Sequence, residues 1–239
     1  MFQTHVSQAE HDRTGSRPET RERVLDAAER LFAERGFRAT SIRDITAAAR
    51  CNVAAVNYHF GGKVGLYREM FRRRLAALRE QRVASIRSAM SEAGDRADLE
   101  LVLRAFTRAF LEPHEEQSAG RGLVRLFSRE LLDPHLRPGT LHREMVRPVE
   151  AVLTKAITSV HPVHDARAVR RCIHSLVAQL VHVVQMRNLP GVRRGPDRND
   201  FAFPGVVNHV VRFSAEGIRA CLGRSGAVRP GARRFRRLA

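Results

Sequence analysis

The residues whose types and spacing suggest chemistry lie close together. Asn57, Tyr58, His59 and Lys63 bring a carboxamide, a phenol, an imidazole and an ammonium into seven positions, and three small apolar residues, Val53, Ala54 and Ala55, precede them. This is a set for recognition. The Asn57 amide can pair with an adenine edge, and Val53, Ala54 or Ala55 can touch a thymine methyl. Tyr58, His59 and Lys63 carry donors suited to phosphate oxygens. Ser41, beside the free amides that open a helix, offers one more phosphate seat. Bond-making groups are missing: no paired carboxylates, phosphate loop or nucleophile with its base stands at a diagnostic spacing, so the chain does not read as an enzyme. Cys51, Cys172 and Cys221 are far apart and lack zinc-ligand spacing. No cofactor and no metal are expected. His174 and His182 fall on roughly one helix face, and His161 and His164 in a loop, but no carboxylate or cysteine completes a ligand set.

These side chains need short, firmly held helices. The apolar period is helical throughout, without sustained alternation, which predicts an all-α protein. Val24, Leu25, Ala28, Leu31 and Phe32 form one face of a first helix that starts near Ser16 and ends at Gly36. Ser41 and Asp44 have capping-box spacing for a second helix, with Ile42, Ile45 and Ala49 inward. Asn52 is a good N-cap for a third, Val53 to Phe60, anchored by Val56 and Phe60 one turn apart. Two helices of about eight residues joined by three make a helix-turn-helix, with the first helix packed across both. Gly61-Gly62 then precedes a long helix from Lys63 to Met90.

Turn signals place further helices near 95–113, 120–133, 139–160, 165–189 and 204–222, with Pro148 expected to kink or break one of them. The domain reading is a polar N-terminal tail over 1–17, a helix-turn-helix domain over 18–66, a helical domain over 67–223 and a basic tail over 224–239. The net charge of +17 favours a polyanionic partner, though residues 1–66 hold ten basic and eight acidic residues. The excess lies in the arginines from Arg68 to Arg87 and in the tail. No segment approaches a membrane span of about 20 apolar residues, and the first 17 residues lack a secretory apolar run. With sparse, odd cysteines, the expected setting is cytoplasmic, without membrane attachment.

Residues 20–70, and above all LFAERGF (31–37), TSIRDI (40–45) and NYHFGGK (57–63), resemble the N-terminal domain of the TetR family of regulators. Residues 123–153, with SRELL, Pro134 and REMVRPV, resemble the C-terminal domain of the CecR-type subgroup. By position, the resemblance implies base-reading roles for Val53, Ala54, Ala55 and Asn57. It implies phosphate contacts for Ser41, Tyr58, His59 and Lys63. Arg50 departs from the pattern, because that turn position is usually glycine. Cys51 and Asn52 stand where a small aliphatic residue and a capping serine are common.

The resemblance further implies a ligand-responsive repressor that binds a palindromic double-stranded DNA operator as a homodimer, the helices near 165–189 and 204–222 pairing with their twins. Val206, Val207, Val210, Phe213 and Ile218 would form the apolar face of the last helix, broken by Arg212. The central helices, 95–160, would enclose an unidentified small-molecule effector, with Phe106, Phe110, Phe127, His174 and Gln185 as candidate lining residues. Each of these contacts has an ordinary alternative: a solvated Asn57, a surface His59, plain core for the phenylalanines. Arg72-Arg73-Arg74 reads as a solvated helix face or a second DNA contact. Two other functions stay open, a non-specific architectural DNA binder and an enzyme acting on nucleic acid.

Overall fold

The computed structural model describes residues 17–114, 119–161, 165–189, 191–192, 201–202 and 205–223. The expected tails, most of the loop 190–203, His164 and the Ser16 cap lie outside the described residues. Those described form helices α1 (Arg17–Ala39), α2 (Ile42–Ala49), α3 (Val53–Phe60), α4 (Lys63–Ala93), α5 (Leu99–Leu111), α6 (Ala119–Leu132), α7 (Arg147–Val160), α8 (Ala166–Asn188) and α9 (Gly205–Leu222). There is no strand among the described residues, and none of their helices is long and apolar enough to cross a membrane. The all-α expectation holds: α3 keeps its expected ends, and apart from the segment expected over 139–160 the other helix ends move by at most four residues.

Two compact units divide the chain, and they do not follow the expected boundary after Leu66. The described residues up to Ala77 pack with those of Glu116–Glu144; the second unit combines Leu78–Glu115 with the chain from Met145 onward. The reason lies in where the apolar side chains go. The first half of α4 contributes Leu66, Tyr67, Met70 and Phe71 to a core shared with Val24, Leu25, Leu31 and Phe32 of α1, while α6 adds Leu126 and Phe127. A helix that reads as one continuous periodic segment thus serves two cores in turn.

In the first unit α1 breaks at Gly36, where φ is +84°. Glycine adopts that conformation without the steric cost a side chain would bring. The buried Thr40 hydroxyl then donates to the Gly36 carbonyl at 2.8 Å and the Leu31 carbonyl at 3.2 Å, pairing groups the helix end would leave open. Across from this break, the buried Glu130 carboxylate of α6 accepts from the Tyr67 hydroxyl at 2.9 Å and from the amides of His135 and Leu136. His135 packs 3.9 Å from the Phe37 ring. These donors leave neither Glu130 oxygen without a hydrogen-bond partner.

The second unit is centred on α5, capped by Asp98, whose carboxylate accepts from the Leu101 amide at 2.8 Å. Its wholly buried Val102, Leu103, Phe106 and Leu111 meet α7, α8 and α9. The expected helix over 139–160 is instead a π-helical turn, His142–Val146, followed by α7 with Pro148 in its first turn. Proline lacks the N–H and crowds the carbonyl four residues back, which favours the widened pattern upstream. On α9 the buried face runs through Val207, Val211, Ala215 and Ile218; Phe213 is 63% exposed. Of the expected apolar face, Val206, Val207, Val210 and Ile218 are buried within the subunit, while Phe213 stands clear of it beside His209, with ring centroids 6.1 Å apart.

Gly65 marks the closest backbone approach. A Cβ there would lie 1.7 Å from the Phe60 carbonyl oxygen. Gly65→Ala must push α3 and α4 apart and is expected to cost at least about 2 kcal/mol. Urea unfolding of the two proteins measures this; equal midpoints would show that the two helices are not in such contact.

Candidate nucleic-acid interface

The helix pair α2–α3 is too short to be stable alone, so its ends and its inner face must be held. Ser41 caps α2: its hydroxyl accepts from the Asp44 amide at 3.1 Å, and the Asp44 carboxylate accepts from the Ser41 amide at 2.8 Å. The Ser41 hydroxyl also donates to the Asp44 carboxylate at 2.6 Å, and this bond first, with the one from the Ser41 amide, holds the Asp44 carboxyl below its ordinary range. The sign follows. A depressed carboxyl stabilises fully above the unfolded-state value, and the contribution is lost as pH falls through the folded-state value. At its other end α2 closes on Arg50, which adopts φ +51° and ψ +52° and donates its amide to the Ala47 and Thr46 carbonyls. The Arg23 guanidinium of α1 also donates to the Ala49 carbonyl, at 3.3 Å. Arg50 thus supplies the left-handed turn for which glycine would serve without strain.

Asn52 caps α3, its side-chain oxygen accepting from the Ala55 amide at 2.8 Å. Val56 is wholly buried in the shared core and Phe60 packs against it. With that face fixed, Val53, Ala54, Asn57 and Tyr58 are exposed, Tyr58 to 76%. Ala55, expected to face outward, is half-buried, since it lies one residue before Val56. Tyr58 meets only the edge of its neighbour His59, at 5.1 Å. A phenol so exposed contributes little to the core and offers its hydroxyl to solvent or to a partner.

The expected phosphate contacts occupy different settings. Ser41 and Tyr58 are exposed and His59 is half-buried. Lys63 folds inward: its Nζ lies 4.4 Å from the centre of the Phe37 ring and 3.5 Å from the Arg38 carbonyl, and burial lowers its pKa. Two exposed cations of this stretch, Arg43 on α2 and Arg50 in the turn, are absent from the sequence-based set. Their signal is that no acid stands three or four residues away on either side. In the Arg72-Arg73-Arg74 run only Arg72 lies on an exposed helix face. Arg73 pairs with Glu22 and Asp26 at 2.7 Å, Arg74 with Glu29 and Arg72 with Glu69, so the run ties α4 to α1 and to itself.

The candidate effector residues are not brought together. Phe106 and Phe110 are buried neighbours on α5, with rings 6.0 Å apart. Phe127 belongs to the other unit, where its ring meets Phe71. His174 and Gln185 are exposed on α8, and His174 faces Glu150 at 3.8 Å. Both lie off the stripe of Ile173, Leu176, Leu180 and Val184 that α8 buries.

Removal of the Asn52 cap frees the Ala55 amide. Asn52→Ala is expected to lower stability by about 1 kcal/mol and to weaken DNA binding. Thermal unfolding and titration of labelled duplex DNA check both, and an unchanged Tm would show the cap to be idle.

The pattern for bacterial regulatory proteins of the tetR family matches residues 24–70, and that for the C-terminal domain of the HTH-type transcriptional dual regulator CecR matches residues 99–218. The HTH-type transcriptional repressor KstR2 of Rhodococcus jostii (strain RHA1) is 41% identical over 61 residues, 26% of this chain and 30% of that protein. The dual regulator CecR of Shigella flexneri is 28% identical over 174 residues, covering 66% of this chain and 71% of that protein. The chain spans less than a third of the length of the first curated relatives it matches. Among solved structures, a TetR family transcription regulator from Marinobacter aquaeolei VT8 shares the fold with a TM-score of 0.56 and 20% identity, over 83% of this chain and 95% of that one. A chain whose residues 24–70 match the tetR family pattern around this capped helix pair, and half of whose length matches the CecR C-terminal domain, belongs to the TetR family of DNA-binding transcriptional regulators.

Proposed function

We propose that the protein is a homodimeric, ligand-responsive repressor that binds a palindromic operator through α3. The observation that carries this reading is the exposed surface of α3: Val53, Ala54, Asn57 and Tyr58 stand clear of a helix whose opposite side is locked by Val56. Asn57 and the small residues before it read base edges, and Tyr58, Ser41 and His59 hold the flanking phosphates. Lys63 joins them by swinging its ammonium away from the Phe37 ring.

Dimerisation rests on α9, where Phe213, His209 and Gly217 line an open, apolar groove. Phe213, 63% exposed in that groove, offers a second copy an aromatic anchor of the kind enriched in protein contacts. Pairing through α8 and α9 sets two α3 helices about one DNA turn apart, about 34–36 Å. The effector acts by favouring the dimer whose spacing no longer fits the operator. A protein that works on chromosomal DNA in this way is cytoplasmic.

Selection of bound DNA from a random pool, repeated with Asn57→Ala and Tyr58→Ala, tests the reading. A palindromic consensus is expected with the wild-type protein, relaxed at one position by Asn57→Ala. Tyr58→Ala is expected to weaken binding to all sequences by about 1 kcal/mol or more, which is at least fivefold. Enrichment of bulk DNA alone, indifferent to both substitutions, would point to an architectural binder instead.

A further inference from the structure

We infer that Arg82 anchors the acidic head of the effector, and that this effector is a carboxylate carried on an apolar body and bound beside α5. The inference rests on the ligand-responsive reading above and names the ligand class.

Arg82 is 6% exposed, in the part of α4 that belongs to the second unit. Its neighbours fix where it points. Gln81 reaches Glu112 at 3.4 Å and the Ser85 hydroxyl donates to the Ala105 carbonyl at 3.0 Å, so this stretch of α4 runs along α5. The Arg82 guanidinium lies 4.1 Å from the centre of the Phe110 ring, and its Nη1 lies 3.4 Å from the Met145 sulfur. Its Nε has no hydrogen-bond partner, and no carboxylate pairs with it among the described residues. On α5, one turn before Phe110, the Thr107 hydroxyl is also buried and unbonded.

A guanidinium has five N–H donors. Here it meets one aromatic face and one thioether, which do not offset the loss of water around a full charge. Burial lowers its pKa to about 10, so it remains protonated at neutral pH. A buried cation kept without an acid is unfavourable in the free protein, and an anionic ligand relieves it. The planar fork matches a carboxylate bidentately. A single cation between Phe110 and Met145, with Phe106 beside Phe110, suits a monoanion with an apolar body better than a phosphate dianion. Thr107 adds a neutral donor on the same face of α5.

The test uses the full chain and four acids, butyrate, octanoate, benzoate and phenylacetate, each against its neutral amide. Tm is read for the wild type and for Arg82→Met. At saturation at least one acid is expected to raise the wild-type Tm by about 3 °C or more above its amide. That difference is expected to vanish in Arg82→Met, a variant that without ligand melts no lower than the wild type, because it removes an unpaired buried charge. No acid outperforming its amide would overturn the inference, and so would an acid preference that persists in Arg82→Met. DNA binding without ligand is measured in parallel and is expected to be equal in the two proteins. Its absence from the wild type would sink the regulator reading itself, whereas loss of the acid preference alone sinks only the ligand class.

Discussion

Everything the protein can do with DNA depends on how α3 is seated. Eight residues make two turns, far too few to be helical alone in water. Three contacts hold it: the Asn52 cap, Val56 wholly buried in the core, and the Gly65 backbone lying against the Phe60 carbonyl. Each works at a different place along the helix, so α3 cannot slide, rotate or fray. Only then does the sequence of small and polar side chains on its outer face become a defined surface. A reading element that turned by one residue would present Ala55 and His59 in place of Val53 and Asn57.

The seat for α3 is built by residues far away in the chain. Tyr67, Met70 and Phe71 of α4 complete the core under it, and Tyr67 is itself tied to Glu130 of α6. The Glu130 carboxylate binds two backbone amides of the following turn, which brings His135 against Phe37 at the end of α1. Arg129 adds a bond to the Glu34 carbonyl. A displacement of α6 therefore acts on the break between α1 and α2. The arginines that make the chain so basic share in this work, since Arg73 and Arg74 are spent on α1 carboxylates. Net charge alone would have assigned them to DNA.

The features legible in the sequence are those that local chemistry fixes. The Ser41 and Asn52 caps, the Gly36 break and the burial of Val56 and Phe60 beside exposed neighbours all follow from residues within four positions, whereas the turn at Arg50 is marked only by the resemblance to the TetR family. What stayed hidden depends on distant partners. Nothing near Phe127 says that it packs on Phe71 and not on Phe110, because α6 reads like any other amphipathic helix. Phe213 shares an apolar pattern with Val210 and Ile218, and only the burial of Val211 and Ala215 inside the subunit shows that it points away from them. Arg82 escaped notice among the many arginines of α4; its burial emerges only when α5 and Met145 are set against it.

The central claim is that two copies of this seated helix address DNA together. Hydroxyl-radical footprinting on a selected operator measures that most directly. Two protected patches related by a dyad, centred about 10 base pairs apart, are expected from a dimer with paired α3 helices. A single patch, or continuous protection without phase, would contradict the account.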